Sequence, residues 1–250
     1  LSRRQSEALY VIAKAPRPGL AKTRLGSTIG HERAAALYRA FLQDLSARFS
    51  GSAYEPGWYV TPPDAAPEMS GLIGKNTRML FQGEGDLTER QRELFRVAAG
   101  RGEDRVVLVA SDSPQLTVET VAGAFLSLQD NDLVVGPTYD GGYYLIGMRN
   151  PSKTLDHGVL GGVPMSTGTE LEDLISGARS RGLSVGRLAP IFDVDVEEDL
   201  RHLRTVVERP DLSATRAALE SLGLLREPEP ASRNPRAEKA RSAISPHRSI

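Results

Sequence analysis

The sequence predicts an α/β domain: a mostly parallel sheet with helices on both faces. Strand-length apolar runs alternate with amphipathic stretches at helical spacing along most of the chain. The segments EALYVIAKA (7–15) and DRVVLVASDSP (104–114) are nearly continuous apolar runs, as buried strands are, and each stops at a Pro-bearing turn.

The remaining elements follow in order. HERAAALYRAFLQDLSARF (31–49) carries Ala35, Leu37, Phe41, Leu42, Leu45 and Phe49 on one helical face. GWYVTP and TRMLFQG read as two strands separated by the polar stretch 62–76. LTERQRELFRVAAG (87–100) is helical and stops at Gly100. After the strand at 105–110, Thr117 is the expected N-cap of a helix over TVETVAGAFLSLQD. DLVVGPTYDGGYYLIGM reads as strand, Gly-rich turn, strand. LEDLISGARSRG is helical, VGRLAPIFDVD holds one or two strands, and VEEDLRHLRTVVE and LSATRAALESLGLL are the closing helices. Residues 7–225 are expected to form one domain. Residues 1–6 are expected to be disordered, as is the Pro-, Ser- and Arg-rich tail at 226–250.

Composition narrows the function classes. The 250 residues carry 31 Lys and Arg against 32 Asp and Glu, a formal net charge of −1. That balance argues against nucleic acid, because no surplus of cations is available to displace counterions. With no cysteine, disulfides, thiolate metal sites and thiol nucleophiles are excluded. No secretory leader is visible and no run approaches the roughly 20 apolar residues of a membrane helix, so a soluble, cytoplasmic protein is expected.

The unusual residues gather where expected strands end. The first strand runs into a loop bearing Lys14, Arg17, Lys22 and Arg24, cations that repel one another unless an anion lies among them. The strand at 105–110 ends at Ser111-Asp112-Ser113-Pro114. The strand near 132–136 leads to Asp140-Gly141-Gly142, and a late strand ends at Asp193-Val194-Asp195. In open parallel sheets ligands bind beyond the carboxyl ends of the strands. Cations with carboxylates there suit a polyphosphate and a hard divalent ion. Each piece alone has a plainer use. Asp112, Asp193 and Asp195 suit helix caps, Asp140-Gly141-Gly142 suits a hairpin turn, and the basic loop suits a solvated surface. His31, His157, His202 and His247 show no ligand spacing, and Trp58 and Tyr143-Tyr144 suit the core.

Five segments in order, IAKAPRPGLAKTRLG, FQGEGDLTER, VVLVASDSPQL, VVGPTYDGGYYLIGM and FDVDVEEDL, resemble the bacterial radical-SAM/selenodomain-associated transferase 1 family. That family is a glycosyltransferase-like group of the nucleotide-diphospho-sugar transferase superfamily, with the Rossmann-like GT-A fold. The resemblance spans roughly residues 8–205. More distantly, AKTRL is similar to the phosphate-binding segment of guanylyltransferases acting on phospholactate-type acids. SDSP resembles a segment of molybdenum-cofactor nucleotidyltransferases, and DVDVEEDL the closing segment of many superfamily members.

The resemblance implies that Lys14, Lys22 and Arg24 face the phosphates, with Arg17 on the same loop. It implies that Gln82, Gly83 and Asp86 lie near the nucleoside, and that Asp140, Gly141, Gly142 and Tyr143 line the acceptor pocket. Asp112 would hold Mg2+ (or Mn2+) with Asp193 or Asp195. The catalytic set would be Asp112, Lys22 and Asp140. Three positions depart from the family pattern: Thr88 where Gly is expected, Met165 where Trp is expected before Ser166-Thr167, and Val196 in place of Thr-Pro before the acids.

Two chemistries fit these residues, with a nucleotide or nucleotide-sugar donor and a small-molecule acceptor as partners. One is glycosyl transfer from a nucleotide sugar. The other is guanylyl- or cytidylyl-type transfer to a small phosphorylated or acidic metabolite; the richness of the loop in cations and the lack of a second acid in Ser111-Asp112-Ser113 favour it. The family resemblance ranks glycosyl transfer first. A catalytically inactive nucleotide-binding regulator is the third reading.

Overall fold

The computed structural model describes residues 6–161 and 168–225. Among them are seven strands: β1 (Glu7–Lys14), β2 (Gly57–Thr61), β3 (Met79–Phe81), β4 (Arg105–Ala110), β5 (Leu133–Pro137), β6 (Tyr143–Arg149) and β7 (Val185–Arg187). They form one sheet in the order β3-β2-β1-β4-β6-β5-β7. Every pairing is parallel except those of β6, which runs antiparallel to β4 and β5. Chain order reverses at β1 and β4, whose neighbouring carboxyl ends open the crevice where ligands of such sheets bind.

Nine α-helices among the described residues cover this sheet: α1 (Thr23–Ile29), α2 (His31–Phe49), α3 (Ala66–Ile73), α4 (Leu87–Gly100), α5 (Val118–Ser127), α6 (Pro151–Asp156), α7 (Glu170–Ser180), α8 (Leu200–Val206) and α9 (Ser213–Ser221). Alternation along β1 sends Leu9, Val11 and Ala13 to one face and Ala8, Tyr10 and Ile12 to the other. The first face packs against α2, α5 and α9 through residues such as Phe41, Phe125 and Leu219. The second packs against α4 and α7 through Phe95 and Leu174. The expected two-faced α/β sheet is what the chain forms.

Two local signals act as read. Thr117 caps α5, its hydroxyl accepting from the Thr120 amide. The DGG turn joins β5 to β6 as a hairpin, closed by Thr138 N to Gly142 O at 3.0 Å.

Three helices depart from the sequence expectation. The basic stretch expected as an open loop contains α1, which starts at Lys22 in a left-handed backbone conformation (φ 50°) with no side-chain cap. The stretch 62–76 holds α3, which begins with a Pro in its first turn and buries Met69 and Ile73. The third, α6, is six residues long and also opens on a Pro. Each is too short for a periodic apolar pattern to announce it.

Residues 1–5, 162–167 and 226–250, with Met165 and the rest of the expected terminal disorder, lie outside the described residues; Ser6, expected to be disordered, bonds Asp104 and the Gly102 carbonyl. No helix among the described residues is long and apolar enough to cross a membrane.

Candidate active site

The cleft is built by stitching loops across the carboxyl edge of the sheet. Beyond β4, the Asp112 carbonyl accepts from the Val194 amide at 3.0 Å, and Gln115 Nε2 donates to the Phe192 carbonyl. Ile191 in turn donates to Pro137 O, at the end of β5. The segment 191–195 is thereby laid between the ends of β4 and β5. This brings Asp193 and Asp195 beside Asp112 and Asp140.

The basic stretch closes the other side. Lys22 Nζ lies 3.0 Å from Asp112 Oδ2 and 3.7 Å from Asp195 Oδ1, with a side chain only 6 % exposed. Arg24, in the first turn of α1, bonds Asp195 Oδ2 at 2.5 Å. A non-glycine residue held in the left-handed region costs about 1–2 kcal/mol and persists where surrounding contacts over-determine it. Here that conformation goes with a buried ammonium set between two carboxylates.

Tyr38 supports the junction from below. Its buried hydroxyl shares a 2.6 Å hydrogen bond with Ser111 Oγ and accepts from the Lys14 amide at 3.2 Å. Burial pushes its ionisation well above the ordinary phenol range, so it stays neutral.

Two adjoining cavities share Arg24, Leu87, Asp112 and Asp195 in their lining. The smaller, about 370 Å3, is basic: Lys14, Lys22, Arg24 and Arg90 line it. The larger, about 660 Å3, is lined by Asp140, Glu170, Asp193, Tyr143 and Gln91 over an apolar floor of Ile12, Leu108 and Ile146. Both fall within the roughly 300–1,000 Å3 of small-molecule sites. Burial, then the charges of Asp112 and Asp140, pushes Asp193 up to about 7, against the lowering effect of Lys22. The larger cavity is thus rich in carboxylates and the smaller one in cations.

The plainer uses of these carboxylates belong to other residues. The cap of α5 is Thr117, not Asp112. At the turn after 195, Asp199 Oδ2 accepts from the amides of Asp195 and Val196, leaving the Asp195 carboxylate to Lys22 and Arg24. Asp140 does both jobs: Oδ1 accepts from Thr138 Oγ1 at 2.5 Å and from the Gly142 amide, and the residue lines the larger cavity. The turn is also pressed against the segment leading into α7. Gly141 has φ +95°, and a Cβ there would lie 2.1 Å from the Gly168 carbonyl oxygen. The Gly141 carbonyl accepts from Leu171 N, which sets the start of α7, with Glu170, on the cavity.

Of the residues read from sequence, Lys14, Lys22, Arg24, Gln82, Asp112, Asp140, Gly142, Tyr143, Asp193 and Asp195 line this cleft. Arg17 does not: its guanidinium is engaged by Asp64 and Glu68, each at 3.0 Å. Asp86 is the N-cap of α4 in a capping box with Glu89, and Gly83 and Asp86 are exposed outside the lining. Gln82 spends its amide nitrogen on the carbonyls of Ala13 and Tyr59, tying β3 to β1 and β2. Gly141 acts through its backbone and is not in the lining. Sequence reading missed Arg90, Gln91 and Glu170. The first two share a face of α4 with Leu87, visible once the helix is docked. Asp86-x-x-Glu89, by contrast, is a capping signature legible in the sequence.

The carboxylates suit a hard divalent ion. No group of three or more His, Asp or Glu residues among the described ones is arranged to hold a metal by itself. Mg2+ is usually held by one or two carboxylates together with substrate phosphates, and Asp112 with Asp193 or Asp195 are the carboxylates that would do so here.

Comparison with known proteins bears on the fold. A family profile described as an uncharacterized protein conserved in bacteria (DUF2064) matches residues 53–167, from just before β2 to beyond β6. A Desulfovibrio desulfuricans G20 protein, described as a candidate nucleotide-diphospho-sugar transferase, superposes with a TM-score of 0.77 at 29% identity. The match covers 88% of this chain and 97% of that one. The fold is that of nucleotide-diphospho-sugar transferases. It is shared with CMP:2-keto-3-deoxy-manno-octonic acid synthetase complexed with CTP (TM-score 0.52, 12% identity, 81% and 98% covered). It is shared also with 4-diphosphocytidyl-2C-methyl-D-erythritol synthase of Anaerococcus prevotii DSM 20548 (0.53, 11%, 81% and 97%). At such identities the likeness is one of fold. No curated protein matches the sequence.

Proposed function

We propose that this protein is a divalent-metal-dependent glycosyltransferase of the radical-SAM/selenodomain-associated transferase 1 group, acting on a nucleotide-sugar donor. One observation carries the reading: Lys22 and Arg24 meet Asp112 and Asp195 within 3.7 Å at the crevice where chain order reverses. Cations and carboxylates in one cleft are what a polyphosphate bridged to a hard cation requires.

In this reading the smaller cavity takes the donor's diphosphate, neutralised by Lys14, Lys22, Arg24 and Arg90. Asp112, with Asp193 or Asp195, holds Mg2+, which when bound supplies further neutralisation of the departing diphosphate. Lys22 exchanges its carboxylate partners for phosphate oxygens. The glycosidic carbon–oxygen bond to the diphosphate breaks, and a bond to the acceptor oxygen forms. Asp140, on the larger cavity, takes the acceptor hydroxyl's proton. Positioning and charge stabilisation do the work, and no histidine is needed.

The 29% identical neighbour, described as a candidate nucleotide-diphospho-sugar transferase, supports a sugar donor over the cytidylyltransferases, which share only the fold. Nucleotidyl transfer is the second reading, favoured by four cations around one cavity, more than a diphosphate needs. Incubation with nucleotide sugars, or with nucleoside triphosphates and phosphorylated acids, separates the two. Release of a nucleoside diphosphate from a sugar donor is expected. Pyrophosphate release would transfer the assignment to nucleotidyl chemistry.

A further inference from the structure

The larger cavity has a wall that the proposed chemistry leaves unused. Gln91, on α4, is only 4 % exposed and lines the cavity. Its carboxamide oxygen accepts from the Tyr143 hydroxyl at 2.8 Å, and its carboxamide nitrogen has no partner among the described residues. Glu170, at the start of α7 and 6 % exposed, lines the same cavity. Burial raises Tyr143 to about 12, so the phenol remains a donor at any physiological pH.

The charge of this cavity is one-sided. Among the described residues Asp112, Asp140, Glu170, Asp193 and Asp195 line it with Arg24; Lys22 and Arg24 offset Asp112 and Asp195, and Asp140, Glu170 and Asp193 leave the lining with an excess of carboxyl groups. A phosphomonoester or carboxylate entering there meets like charge. An uncharged ligand with adjacent hydroxyls meets acceptors in Glu170 and Asp140, a donor in the Gln91 amide, and an apolar floor for its carbon face.

We propose that Gln91, Tyr143 and Glu170 form a hydroxyl-recognition subsite, and that the larger cavity admits a neutral polyhydroxylated group and rejects anionic acceptors. This rests on the transferase reading for its role, though not for the binding it predicts. A buried amide built to meet a hydroxyl discriminates strongly, because a ligand lacking that hydroxyl leaves it unpaired.

Calorimetry on the full chain tests it, with and without a nucleoside diphosphate and Mg2+. The probes are a neutral panel (glucose, galactose, mannose, N-acetylglucosamine, myo-inositol) and two anions, 3-phosphoglycerate and phosphoenolpyruvate. At least one neutral probe should bind and both anions should not. Gln91→Leu should weaken the neutral ligand about tenfold and leave nucleotide affinity unchanged within about twofold; Glu170→Gln should do the same. The subsite is overturned if no neutral probe binds, if an anion binds more tightly than all of them, or if both variants keep full affinity. Nucleotide affinity is read separately: its absence sinks the transferase reading, while polyol binding still decides the subsite.

Discussion

Lys22 and Asp112 are joined by a 3.0 Å hydrogen bond from Nζ to Oδ2 across 90 residues of sequence, and the ammonium is almost fully buried. The pair links the loop after β1 to the loop after β4 at the point where the sheet reverses direction. Its backbone is strained at Lys22, where φ is 50°. Both Lys22→Gly and Lys22→Ala should lose nucleotide affinity by about ten- to hundredfold, since charge-assisted bonds contribute about 1.5–3 kcal/mol. The Gly variant should be the more stable of the two by about 1 kcal/mol, because it relieves the left-handed conformation. Titration calorimetry and urea denaturation read the two effects separately.

Arg17 was the one cation of the basic stretch that the fold turns away. Asp64 and Glu68 occupy its guanidinium and raise its ionisation, Asp64 most. Arg17→Ala should therefore leave the Kd for a nucleoside diphosphate unchanged within about twofold. A tenfold loss would place Arg17 on the ligand.

Arg48 secures the loop that follows Asp112. Its side chain, 5 % exposed, donates to the carbonyls of Pro114 and Leu116 and pairs with Asp211 at 2.7 Å. Burial lowers its ionisation, and the charge of Asp211 opposes that. Arg48→Met removes the Arg48 donor from the carbonyls of Pro114, Leu116 and Asp211, while Arg209 still holds the Asp211 carboxylate, and should cost about 1–3 kcal/mol in chemical denaturation. A loss below about 1 kcal/mol would show that the loop is held by other contacts.

Asp132 joins β5, β6 and the start of β7, accepting from Arg149 at 2.8 Å and from the Ser184 amide and hydroxyl. Burial pulls its carboxyl upward, but these bonds outweigh it and hold it at about 2, below the ordinary 3.8. Its contribution to stability is complete above about pH 4 and is lost as pH falls from about 4 to about 2. Asp132→Asn should flatten the acid limb of the stability curve in that window. An unchanged slope would mean that Asp132 has no part in it.

Much of the fold was legible in the sequence because its strongest elements are the simplest ones. β1 and β4 are buried on both faces and read as nearly unbroken apolar runs. α4 and α5 carry apolar periodicity and polar caps. By contrast α1, α3 and α6 are six to eight residues long and owe their existence to packing rather than pattern. The site followed the same division. Asp112 and Asp140 follow the ends of β4 and β5, and Lys22 lies on the stretch after β1, where topology brings them to one edge. The late strand expected to end at Asp193 stops at Arg187, and Asp193 and Asp195 reach the same edge on a segment tied by backbone bonds to Asp112 and Pro137. Gln91, Arg90 and Glu170 stand on helices, and which face meets the cleft is decided only when the helices dock. Asp86 shows the opposite failure, a capping residue that the family resemblance had assigned to the nucleoside.

The shared cleft is tested most directly by the Kd of ADP, CDP, GDP and UDP, with and without Mg2+, for the unaltered protein, Lys22→Met and Asp112→Asn. One of the four nucleotides should bind the unaltered protein, more tightly with Mg2+. Lys22→Met should weaken that binding about ten- to hundredfold, and Asp112→Asn should abolish the Mg2+ enhancement. Failure of all four to bind, or the same Kd in all three proteins, would contradict the account.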